Sequence, residues 1–82
     1  MKLWILRPIE GLPEEDDPWE PWYDKAFGFV VRAETEDEAR ELAHTQAGDE
    51  LVGAWKNSKY STCVVLSPEG DAEVIMRDFA SA

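Results

Sequence analysis

Apolar positions along the chain fall into short runs of strand length, with one stretch of helical spacing among them. Residues 3–6, Leu3-Trp4-Ile5-Leu6, are apolar on both faces of an extended segment and are closed by Arg7-Pro8. A proline removes a ladder donor and biases its predecessor away from helix, so this run predicts a strand, central in a covered sheet. Residues 27–33, Phe27-Gly28-Phe29-Val30-Val31-Arg32-Ala33, are rich in β-branched and aromatic side chains and predict a second strand. Thr35 then offers a capping hydroxyl, and Glu38 three residues later completes a T-x-x-E capping box. Ala39, Leu42, Ala43, Gln46 and Ala47 follow at the spacing of a buried stripe, and Gly48 is a natural C′ residue, so a helix of about 12 residues is expected. Residues 49–59 are irregular, with turns at Gly53 and Asn57-Ser58 and with Leu51, Val52 and Trp55 as anchors to the core. Residues 61–66 read as a third strand, 67–71 as a turn and 72–77 as a fourth strand, the last two strands forming a hairpin. The order β, long loop, β, α, β, β predicts an α+β fold: a single small domain, residues 1–82, with one helix packed on a mostly antiparallel three- to four-stranded sheet.

The long loop, residues 8–26, changes the picture, because loops of that length are uncommon and are usually functional or disordered. Pro13, Pro18 and Pro21 interrupt it, while Trp19, Trp22 and Tyr23 argue for order. Between Arg7 and Lys25 lie seven acids, Glu10, Glu14, Glu15, Asp16, Asp17, Glu20 and Asp24, and no base. The whole chain of 82 residues has 18 acids against 8 bases, net −10. Direct nucleic-acid binding is disfavoured by that charge, since it requires a basic footprint on the phosphates. With 44% hydrophobic residues, including 4 Trp, 3 Phe and 2 Tyr, the chain is no disordered acidic tail. The apolar run between Lys2 and Arg7 is too short for a signal peptide, no stretch spans a bilayer, and the net charge is repelled by anionic lipid. Cys63 is the single cysteine. A cytoplasmic protein with no membrane partner is the expectation.

Candidate chemistry is sparse. His44 is the only histidine, so Cys/His zinc sites cannot be assembled, and it falls on the solvent side of the expected helix. Ser58, Ser61, Ser67 and Ser81 lack a nucleophile-elbow context. Gly48 and Gly53 carry a phosphate-loop spacing, but Ala54-Trp55 stands where Lys and Ser or Thr are required. Glu14-Glu15-Asp16-Asp17 lacks the alternating geometry that wraps carboxylates round one calcium ion. No catalytic residue, metal site or cofactor is expected, and the protein reads as a non-enzyme.

The acids are the lead. Glu34, Asp37, Glu38 and Glu41 fall at i, i+3, i+4 and i+7, a row of negative charge opposite the apolar stripe. Residues 1–41 hold 12 acids and 5 bases, so the charge is concentrated in the first half. Acids in a first helical turn are favoured by the helix dipole and aid solubility, which accounts for part of the row. The loop acids gain no such benefit and repel one another. Rows of carboxylates on a scaffold can occupy a lysine-lined groove built for DNA, with embedded aromatics as the desolvated anchors. The expected partner-binding surface is Glu14, Glu15, Asp16, Asp17, Trp19, Glu20, Trp22, Asp24, Glu34, Asp37, Glu38 and Glu41, although Trp19, Trp22 and Tyr23 can equally fold back over the sheet.

Pro21-Trp22-Tyr23-Asp24, the 27–34 segment, Glu38-Ala39-Arg40 and Ala47-Gly48-Asp49-Glu50 together resemble small, acidic, uncharacterised bacterial and phage proteins. In size and acidity the chain also resembles phage anti-CRISPR proteins, a likeness of style that transfers no residue. What it implies is a viral inhibitor that mimics DNA and binds a basic nucleic-acid-binding protein or complex, blocking DNA binding by a CRISPR surveillance complex. The alternatives are an immunity or antitoxin protein neutralising a basic nuclease, and a non-catalytic accessory domain.

Overall fold

Three of the apolar runs become strands in the computed structural model, which describes residues 1–19, 26–47 and 53–77. They are β1 (Lys2–Pro8), β2 (Phe29–Ala33) and β3 (Ser61–Val65), with the helix α1 (Glu36–Thr45) between β2 and β3. β1 is central, in the order β2-β1-β3, and both pairings are antiparallel. Trp4 faces Val31 and Val65 across the two ladders, Ile5 faces Val30 and Val64, and Leu6 faces Phe29 and Cys63. Because side chains alternate along a strand, this register puts Trp4, Leu6, Phe29, Val31, Ala33 and Cys63 on one face. Leu3, Ile5, Arg7, Val30, Arg32, Thr62 and Val64 stand on the other. The result is an α+β arrangement of one helix on a three-stranded antiparallel sheet.

α1 covers the first face through small side chains. Ala39, Ala43 and Ala33 are fully buried together with Trp4, Leu6, Trp19, Ala54 and Trp55. Alanines at the contact bring the helix close to the sheet, and the remaining volume is filled by three indoles. Trp55 meets Trp19 edge to face at 4.8 Å and Phe29 at 4.9 Å. The buried indole N–H groups are satisfied: Trp4 Nε1 donates to Ala33 O at 2.9 Å and Trp19 Nε1 to Tyr60 O at 3.1 Å. Trp55 anchors the irregular 53–60 segment, as expected, and Gly53 takes a positive φ of 86° at its start. Leu51, Val52 and Gly48 lie outside the described residues.

The helical stripe differs from the expected one. Ala39, Arg40 and Ala43 are its buried residues, whereas Leu42 is 43% exposed and Gln46 is exposed. Rotation of the helix by about one residue follows from Arg40, whose guanidinium donates three hydrogen bonds to buried acceptors of Trp55 and Ser61 and whose aliphatic stem packs there. α1 also starts at Glu36 with Thr35 as N-cap, so Glu34 precedes the helix.

The fourth strand and its hairpin with β3 are not formed: residues 73–77 carry no strand. After Leu66 donates its N–H to Leu3 O at 2.9 Å, the chain leaves β3 and crosses the second face. Met76 reaches Gly28 on the β2 side, where a Cβ would lie 2.5 Å from Met76 Cε and 3.1 Å from Leu6 O. This strap runs past Ile5, which is 3% exposed although Val30 and Val64 beside it are more than half exposed.

Candidate functional site: an acidic layer on the helix side

The acidic segments are built onto the helix-bearing side of the sheet. Pro13 opens a 3₁₀ turn, Glu14–Asp16, closed by the Asp16 N–H to Pro13 O at 2.8 Å. Asp16 is fastened inward: Tyr60 Oη donates to Asp16 Oδ1 at 2.6 Å and Lys59 Nζ lies 2.6 Å from Oδ2. These two contacts hold the Asp16 carboxyl below its ordinary pKa, the Lys59 hydrogen bond being the larger cause. The same contact raises Lys59, and the hydrogen bond to Asp16 raises the Tyr60 phenol. Asp17 Oδ1 accepts the Trp19 N–H at 2.9 Å, turning the chain so that Trp19 enters the core. Glu14 and Glu15 are exposed.

On α1 the acids divide in the same way. Thr35 Oγ1 accepts the Glu38 N–H at 3.2 Å, and Glu38 Oε1 in return accepts the Glu34 N–H at 2.9 Å, one residue earlier than a standard capping box. Glu41 pairs with Lys56 at 3.0 Å. Glu34 and Asp37 are exposed and enter no ion pair among the described residues. The 53–60 turn is therefore the joint of the layer: its Lys59 ties down the 3₁₀ turn and its Lys56 ties down α1.

Arg40 fixes that turn from below. Its Nε donates to Glu36 Oε2 at 2.8 Å, Nη1 to Trp55 O at 3.0 Å and to Ser61 Oγ at 2.8 Å, and Nη2 to Ser61 O at 3.1 Å. Ser61 is fully buried and passes its own proton to Ala54 O at 3.0 Å, so this serine is a structural hub. Sequence reasoning missed both residues. The available signal was the placement of Arg40 between Ala39 and Ala43, with Glu36 one turn earlier.

Of the expected partner-binding residues, the structure leaves Glu14, Glu15, Glu34 and Asp37 outward and uncommitted. Asp16 and Asp17 are half-buried, Glu38 and Glu41 are exposed, and all four are engaged in holding the scaffold. Trp19 is corrected: it is 6% exposed and packs on Trp55, so it is a core residue and no surface anchor. Glu20, Trp22 and Asp24 lie outside the described residues. His44, at the end of α1, is partly buried. Burial pushes the Cys63 thiol up, which keeps it protonated at neutral pH. Among the described residues no three His, Cys, Asp or Glu side chains converge to hold a metal ion, and no helix is long and apolar enough to cross a membrane.

The cations of the two sheet faces differ in their pairing. Arg7 and Arg32, both on the second face, enter no ion pair among the described residues, whereas Arg40, Lys56 and Lys59 on the helix side each hold a carboxylate. No protein-family model, curated protein or solved structure matches the chain.

Proposed function

We propose that the protein is a non-catalytic binding inhibitor that presents its acidic layer to a basic nucleic-acid-binding surface, acting as a DNA mimic. The observation that supports this is the set of four carboxylates left without a cation among the described residues, Glu14 and Glu15 on the 3₁₀ turn, Glu34 just before α1 and Asp37 in its first turn, on two segments clamped to one turn. Clamping lowers the entropy lost on docking, and uncompensated charge steers a basic partner and sets its register. A CRISPR surveillance complex, with its channel for target DNA, is the partner class first tested. A second reading, an accessory domain whose acidity serves folding and solubility, is favoured by one observation: Asp16, Asp17, Glu36, Glu38 and Glu41 all satisfy groups of the chain itself.

The test is binding of the purified chain to purified surveillance complexes and, in parallel, to a basic nuclease, over a salt series with duplex DNA as competitor. Binding that weakens with salt, is displaced by DNA and is lost in the E14K/E15K and E34K/D37K double variants supports mimicry. Selective capture of the nuclease moves the assignment to an immunity protein. Absence of binding at low salt leaves the accessory-domain reading.

A further inference from the structure

We propose that the groove at the Leu3–Arg32 corner of the second sheet face binds the carboxylate end of a medium-chain aliphatic molecule. The groove lies where Leu3 of β1 stands opposite Arg32 of β2, and the strap leaving β3 forms its far wall. Its volume is about 560 Å³, within the range of small-molecule sites. Leu3, Leu66, Pro68 and Ile75 make it apolar. Ile75 is 39% exposed, so an aliphatic chain laid there removes apolar surface from water.

The charge of the lining selects the head group. Arg32 borders the groove and no carboxylate does, among the described residues, in a chain where acids outnumber bases 18 to 8; Lys2 also lines it, but its ammonium lies over the Trp4 ring of the first face at 5.9 Å, so Arg32 is the cation offered. The Arg32 side chain is exposed and, among the described residues, enters no ion pair or hydrogen bond. Its guanidinium presents a planar fork that matches a carboxylate bidentately. The neighbouring groove, about 600 Å³ around Arg7, makes the contrast: Glu69, Asp71 and Glu73 line it, so its single arginine is outnumbered and an anion is repelled. The same argument excludes an anionic bilayer as the source of the ligand, because a net charge of −10 opposes approach to such a surface. A free monomer can enter this corner, whose described lining holds no acid.

The proposal is tested by ¹H–¹⁵N NMR titration of the full chain with sodium decanoate, against decanol as the uncharged analogue. Saturable shifts at the amides of Leu3, Arg32, Leu66 and Ile75 are expected. Decanol and the R32Q variant should each bind about tenfold more weakly, R32K should retain most of the affinity, and R7Q should match the wild type. Arg32 supports no other side chain, and the spectra themselves report whether each variant is folded. Absence of saturable shifts, equal affinity in R32Q and the wild type, or shifts centred on Arg7 overturns the assignment.

Discussion

Arg40 shows what a single buried cation does in so small a chain. Four hydrogen bonds converge from its guanidinium on Glu36, Trp55 and Ser61, and two of the acceptors are carbonyls in the interior. Arg40→Met preserves the aliphatic stem but strips those carbonyls of their donors. It is expected to lower stability by about 3 kcal/mol in urea unfolding, whereas Glu36→Gln, at a half-exposed partner, should cost less than about 1 kcal/mol. The Asp16, Lys59 and Tyr60 cluster makes a second residue-scale prediction, in pH. Asp16 is depressed in the folded chain, so its contribution is present above its unfolded pKa and lost as pH falls through the lower folded one. Lys59 and Tyr60 are raised, so theirs are present at neutral pH and lost only as pH rises through their folded values. The clamp is thus complete between about pH 4 and pH 10. Tyr60→Phe removes one hydrogen bond to Asp16, and its acid unfolding midpoint should move to higher pH than the wild type's in a circular dichroism titration.

At the scale of elements, the contact between α1 and the sheet depends on small side chains. Ala43 is 1% exposed and packed in the layer that holds Trp4 and Leu6, whereas Leu42 is largely in solvent. Ala43→Leu should therefore destabilise by about 1 to 3 kcal/mol through overpacking, and Leu42→Ala should change stability by less than about 0.5 kcal/mol, both read by thermal unfolding. A reversed order would show that the helix is turned the other way. The helix start was legible in advance, since Thr35 and Glu38 act through local hydrogen bonds. The buried face was not, because a helix with few large apolar residues leaves its rotation to whatever it meets. Here Arg40 finds acceptors on the 53–61 segment, which is distant in sequence. The strap at residues 66–77 makes the same point: its composition suits a strand, yet a neighbouring face in need of cover decides its path.

The whole molecule divides its charges by what they pair with: the cations of the helix side each hold a carboxylate, whereas Arg7 and Arg32 on the second sheet face enter no ion pair among the described residues. Acids that hold the scaffold and acids that face outward should respond differently to reversal. E14K/E15K and E34K/D37K are expected to fold with a melting temperature within a few degrees of the wild type or above it, since they relieve repulsion in a chain of net −10. Asp16→Lys and Glu41→Lys place like charges against Lys59 and Lys56 and should melt lower. Differential scanning calorimetry of the four variants checks this sorting, and it marks which acids remain available to a partner.

From sequence alone came the α+β class, the central position of β1, the cap of α1, the anchoring role of Trp55 and the excess of acid, because each rests on local pattern or on composition. The tertiary structure decided the rest. It placed Trp19 in the core, turned α1 onto Ala39, Arg40 and Ala43, and sent residues 66–77 across the second face. It also separated structural carboxylates from uncommitted ones. Those outcomes depend on which groups distant in sequence meet in space, and burial, pairing and charge compensation are properties of that meeting, absent from any one stretch of the chain.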